Sequence, residues 1–163
     1  MGIRVEVGDV FLVPLDGKSW ACGQLVSAWN DELYIAIFDR TVETQQVDPH
    51  SVTAQKPVFL ALTLDAKLFH GNWPIVGRVR KNLSSIPQPA FKVRQSGVVY
   101  IESRDRTVSR PASSSEAETL RYRSVSSPAV IEEAVQGYFG VCEWNPYFNK
   151  FHADYSYMSA HLL

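Results

Sequence analysis

The chain has 163 residues, 45% of them apolar and 20% charged, with a net charge of −1. That length holds one domain with a real core and is short for two, and the balance excludes wholesale disorder, a membrane protein and a general polyanion binder. The aromatic share of 12% suits the pleated, half-buried surfaces of a β protein.

Met1-Gly2-Ile3-Arg4-Val5-Glu6 lacks the basic stretch and apolar run of a secretory signal, and Glu6 stands where a myristoylation start needs Ser or Thr. The longest apolar candidate, Val58 to Leu64, stops at Asp65, far short of the ~20 residues of a membrane span. A cytoplasmic protein without membrane contact is therefore expected.

The first third reads as a β-meander. Val10 to Leu15 is a short apolar run, Asp16-Gly17 marks a turn needing positive φ, and Trp20 to Val26 is the return strand. Asn30-Asp31 marks a second turn, and Leu33 to Phe38 a third strand ending at Asp39. Pro14 cannot donate to a ladder and predicts an edge or a bulge there, and Gly23 predicts a bulge or a close backbone approach.

Thr41 to Lys56 is polar and reads as loop, Val58 to Leu64 as strand, Phe69 to Pro74 as turn and Ile75 to Val79 as a short strand. Ala90 to Arg94 and Val98 to Ser103 form a hairpin about Ser96-Gly97. A Ser/Arg-rich stretch at about 104–126 reads as a mobile loop within a single domain of residues 1–163. One helix is clear: Ser127 is its N-cap, Pro128 its first residue, and Ile131, Ala134, Val135 and Tyr138 its apolar face. The tail after Trp144 has no clean period. The fold expected is mainly β (α+β), a strongly bent antiparallel sheet or SH3-like partly open barrel with one C-terminal helix.

No residue pattern presents chemistry. His50, His70, His152 and His161 show no HxH or HxxxH spacing, so no metal site is expected. Cys22 and Cys142 lie outside any CxxC pair and read as buried reduced thiols, with a bridge between them left open by the sequence. Glu132-Glu133 is explained by the helix dipole, and no nucleophile elbow or phosphate-binding glycine loop occurs. Charge is uneven: the stretch to Asp65 is acidic and the middle of the chain basic. The acidic face suits a basic protein partner. The basic one, with Arg78, Arg80, Lys81, Lys92 and Arg94, gives the alternative of a nucleic-acid-binding β-barrel.

Val7-Gly8-Asp9-Val10-Phe11-Leu12-Val13-Pro14-Leu15, Trp20-Ala21-Cys22-Gly23-Gln24-Leu25-Val26 and Gly71-Asn72-Trp73-Pro74-Ile75-Val76-Gly77 follow in order, then Pro89-Ala90-Phe91-Lys92, Tyr100-Ile101-Glu102 and Pro128-Ala129-Val130-Ile131-Glu132-Glu133. The ordered set resembles the bacterial immunity protein 26 family over roughly residues 5 to 140. The resemblance implies a non-catalytic antidote encoded beside a polymorphic toxin, which binds the cognate toxin domain in the cytoplasm without any cofactor. It transfers no site residue. From charge and exposure, the partner-binding residues expected are Trp29, Asp31, Glu32 and Asp39, around a turn and a strand end.

Overall fold

Gly23 shows why the first strands take the form they do. A side chain there would place its Cβ 2.6 Å from the ring of Phe11, its cross-strand partner. The ring of Phe11 lies over the glycine and stacks on Trp73 with centroids 5.3 Å apart. The pair of strands therefore curls around one aromatic column rather than lying flat.

The computed structural model describes residues 2–163. They gather into two compact units, residues 2–85 with Val125–Ala153, and Ile86–Ser124 with Asp154–Leu163. The first contains β1 (Asp9–Pro14), β2 (Trp20–Trp29), β3 (Glu32–Val42), β4 (Pro57–Thr63) and β5 (Ile75–Arg78) in one antiparallel sheet of order β4-β3-β2-β1-β5. Register shifts at Val10/Phe11, Ala21/Gly23, Leu25/Ser27 and Ile37/Phe38 bend it, and it is not closed. The mainly β, α+β architecture expected from the sequence is the one observed.

Pro14 ends an inner strand. β5 pairs only with Asp9 to Phe11, so the missing N–H at Pro14 faces no ladder partner on that side. The outer edge of β4 is covered by other chain: Ser126 N donates to Leu62 O (3.0 Å) and Ala153 N to Val58 O (2.9 Å). The core runs from Phe11, Leu25, Ile35 and Phe59 to Trp73, Ile131, Val135 and Phe151.

Short helices fill the connections: α1 (Pro49–Thr53) and α2 (Ala66–Phe69), then, in the second unit, α3 (Ser114–Thr119). Helix α4 (Pro128–Tyr138) has the Ser127 cap and leading proline read from the sequence. α5 (Asp154–Ser159) and 3-10 turns at Pro146–Phe151 and Ala160–Leu162 complete the tail. The single expected helix is thus the longest of five α-helices among the described residues. The polar stretch read as loop contains α1 because Asp48 caps His50 N (3.0 Å) ahead of Pro49.

The second unit is a three-stranded antiparallel sheet of order β6-β7-β8, from β6 (Ala90–Gln95), β7 (Val98–Ser103) and β8 (Ser109–Pro111). Ser96 (φ 50°) and Gly97 (φ 81°) make its hairpin loop, both central residues in the left-handed region, as a type I′ turn requires. The Ser/Arg-rich stretch contains β8 and α3. Ser113 and Glu116 form a capping box, and Arg110 binds Glu116 through two bonds of 2.8 and 2.7 Å.

Candidate functional site

The β2–β3 hairpin places three of the four expected partner-binding residues together. Trp29 pairs with Glu32, leaving the two-residue turn Asn30-Asp31, where Asn30 takes φ 52°. Asparagine tolerates that conformation with little strain. Asp31 is exposed at the tip, and Trp29 and Glu32 flank it half-buried. Thr63, paired with Leu33, ends β4 beside the hairpin, and exposed Leu64 and Asp65 follow it. The end of the sheet thus has a mixed acidic and apolar surface.

Asp39 is not part of this tip. It lies seven residues beyond Glu32 on β3, about 23 Å away at a strand's rise per residue. Its carboxylate meets Tyr138 at the end of α4; burial chiefly, with Asp39 adding to it, pushes the Tyr138 hydroxyl up. The strand expected over Leu33 to Phe38 already separates Asp39 from Asp31 and Glu32, and β3 runs on past Asp39 to Val42.

The other carboxylates of the acidic first third divide by use. Asp9 is almost fully buried and accepts bonds from Glu6 N and Arg78 Nε, both 2.8 Å. Asp16 closes the β1–β2 loop by accepting from Lys18 N and Ser19 N. Asp48 caps α1. These residues specify the fold, whereas Asp31 stands exposed at the hairpin tip.

The cations of the nucleic-acid alternative are similarly divided. Arg78 is bound to Asp9 and to Glu6 (3.0 Å), and Arg80 lies 3.5 Å from Glu6. Lys92 donates to Ala117 O (2.8 Å) in the second unit. That unit has a cleft of about 520 Å³ lined by Lys92, Glu102, Arg106, Tyr122 and Arg123. Glu102 sits between Arg123 (3.2 Å) and Arg106 (3.9 Å), and Arg123 also donates to the carbonyls of Ser103 and Arg104. Much of the positive charge is therefore already answered within the fold.

Of the cysteines, Cys22 is buried as expected, and burial pushes its thiol up to about 11. Cys142 departs from expectation: it is free and exposed, because it follows the turn at Gly140 (φ 81°) that ends α4. His152 stacks on Trp144, and His70 packs edge-on to Phe69. Among the described residues no three His, Cys, Asp or Glu side chains gather in a way that could hold a metal ion, and no helix is long and apolar enough to cross a membrane.

The Trp-Pro segment has a structural role that the sequence did not disclose. Trp73 is fully buried, its indole N–H donates to Glu132 Oε1 (2.9 Å), and Lys67 lies 3.6 Å from the same carboxylate. Pro74 O accepts Leu12 N (3.0 Å). Glu132 is thus the acceptor that a buried tryptophan requires, and not simply a helix-dipole charge.

This is a mainly β, α+β protein whose shared motifs build an aromatic core and leave an acidic hairpin exposed. The family model described as Immunity protein 26 matches residues 6–99, more than half the chain, and the chain belongs to that family. No curated protein and no solved structure matches it.

Proposed function

We propose that this chain, acting as one domain of residues 1–163, is a non-catalytic antidote. It binds a cognate bacterial polymorphic toxin domain in the cytoplasm and neutralises it by occlusion. Membership of an immunity-protein family carries the reading. The β2–β3 tip supports a location for the contact. Trp29 supplies an amphipathic anchor, and Asp31 and Glu32 supply charge complementary to a basic cleft of the kind that holds nucleic acid. Asp39, at the far end of β3, belongs to the same interface if the partner spans the sheet, a distance within the reach of a standard-sized interface.

The test is affinity capture of the tagged protein from its own host, read by mass spectrometry, followed by binding of the recovered partner to an Asp31→Lys/Glu32→Lys variant. One large protein ending in a toxin domain is expected, with affinity for the double variant reduced by about tenfold or more. Unchanged affinity would reject the hairpin site. Recovery of ribosomal proteins and RNA, lost on nuclease treatment, would favour the nucleic-acid-binding barrel instead.

A further inference from the structure

Helix α4 ends in a turn that builds a second surface. Val141 N donates to Gln136 O (2.9 Å) as Gly140 adopts φ 81°, and the chain doubles back along the helix. Gly137 lies close against the returning chain, where a Cβ would sit 3.3 Å from both Glu143 O and the Trp144 ring, a tight contact. The result is a cleft of about 580 Å³ that includes Glu133, Gln136, Cys142, Glu143, Trp144 and Phe148 in its lining.

Its aromatic wall is fixed. The Trp144 indole N–H donates to Asn149 Oδ1 (2.9 Å), and the ring packs edge-on against Phe148 (5.5 Å) and stacks on His152 (5.3 Å). Its charge is unanswered. No cation lines the cleft, and among the described residues neither the Glu133 nor the Glu143 carboxylate has an ion-pair partner, whereas Glu6, Asp9, Glu102, Glu116 and Glu132 are all paired. An aromatic wall and two exposed carboxylates lining one cleft suit a group with an apolar stem and a cationic head.

The geometry points to this cleft as the socket for a lysine or arginine side chain of the protein partner. The inference rests on the proposed function for the identity of that partner, but the socket's preference for a cation can be tested without it. Cys142 is an exposed thiol in the lining, while Cys22 is buried and weakly acidic. The free wild-type protein therefore carries a single built-in probe.

The experiment compares the rates at which two methanethiosulfonates modify Cys142, one bearing trimethylammonium and one bearing sulfonate, each normalised to its rate with free cysteine. The ratio cancels the fraction of thiolate, which both reagents share. The cationic reagent should be favoured about fivefold or more at low salt, since two carboxylates act together. That preference should collapse towards parity in Glu133→Gln/Glu143→Gln. Parity in the wild type would overturn the socket.

With the captured partner at saturation, Cys142 should be protected and the double Gln variant should bind the partner about tenfold more weakly. A thiol that stays fully reactive in the complex would also overturn the proposal. A cation preference in the free protein, with no toxin recovered from the host, would leave the socket standing and remove the immunity reading.

Discussion

The two units of the chain are held by different physics. The first buries a continuous cluster that includes Phe11, Trp73, Phe59, Ile131 and Phe151, and its polar links, such as Trp73 to Glu132, lie around that cluster. The second has a smaller cluster of Ala90, Ile101 and Leu120, with Tyr155 and Leu162 packed against it, and also buries Ile86 and Phe91. It relies on directed polar contacts: Arg110 on Glu116, Arg123 on Glu102, Arg121 N donating to the Tyr155 hydroxyl, and that hydroxyl donating to Ala90 O. Their charge differs as well. The first unit has twelve carboxylates against nine Lys and Arg, and the second five against seven. Non-directional burial makes the first the tolerant, stable scaffold, while the second depends on charge state and geometry.

The sharpest way to break this comparison is to remove the aromatic column. Trp73→Ala should cost about 3–5 kcal/mol through the cavity and the acceptor left at Glu132. Urea unfolding followed by tryptophan fluorescence reads this directly, because the three remaining tryptophans, Trp20, Trp29 and Trp144, also lie in the first unit. A loss below about 1 kcal/mol would mean the column is not the keystone of the sheet.

A smaller effect is expected from overfilling the same place. Gly23→Val would drive a side chain into the Phe11 ring and should cost about 1–3 kcal/mol, seen as a lower urea midpoint at unchanged slope. A neutral result would show that Phe11 can move aside, so that the bulge and not the ring dictates glycine.

The smallest expected effect, on local order, comes from acid and falls on the second unit. The Arg110 guanidinium holds the Glu116 carboxyl at about 2, below its ordinary 4.5, and the Thr107 hydroxyl, with help from Thr107 N and Ser103, holds Asp105 at about 2. Both values are lowered by folding, so the stabilisation is full above the ordinary carboxylate range and fades as pH falls from about 5 towards 2. Carboxyl titration by NMR, read beside the Thr107 and Glu116 amides, should give midpoints near 2. Midpoints in the ordinary range would show that these contacts do not persist in solution.

What was legible in the sequence follows the same division. Strands β1 to β4 announce themselves by apolar runs between turn residues, and α4 by Ser127, Pro128 and a full helical period. The shared motif residues read as specifying the fold, with Trp73 in a turn, but the partner of Trp73 could not be read, because Glu132 is 59 positions away and adjacency carries no sign of that bond. Helices α1, α2, α3 and α5 span only four to six residues and show no complete period. Their caps were the available signal: Asp48-Pro49 repeats the Ser127-Pro128 pattern, and Ser113 with Glu116 spells a capping box. At the candidate site, the turn at Asn30-Asp31 was readable, and the strand expected over Leu33 to Phe38 already separates Asp39 from it. What was not readable is that β3 runs on to Val42 rather than stopping at Asp39.

The central claim is neutralisation by occlusion, and titrating the captured toxin domain's activity against this protein tests it most directly. Occlusion predicts a linear loss of activity that reaches completion at stoichiometric protein and returns when the complex is dissociated. Complete and lasting inactivation at a small fraction of an equivalent would mean that the protein acts on its target catalytically and not by occlusion.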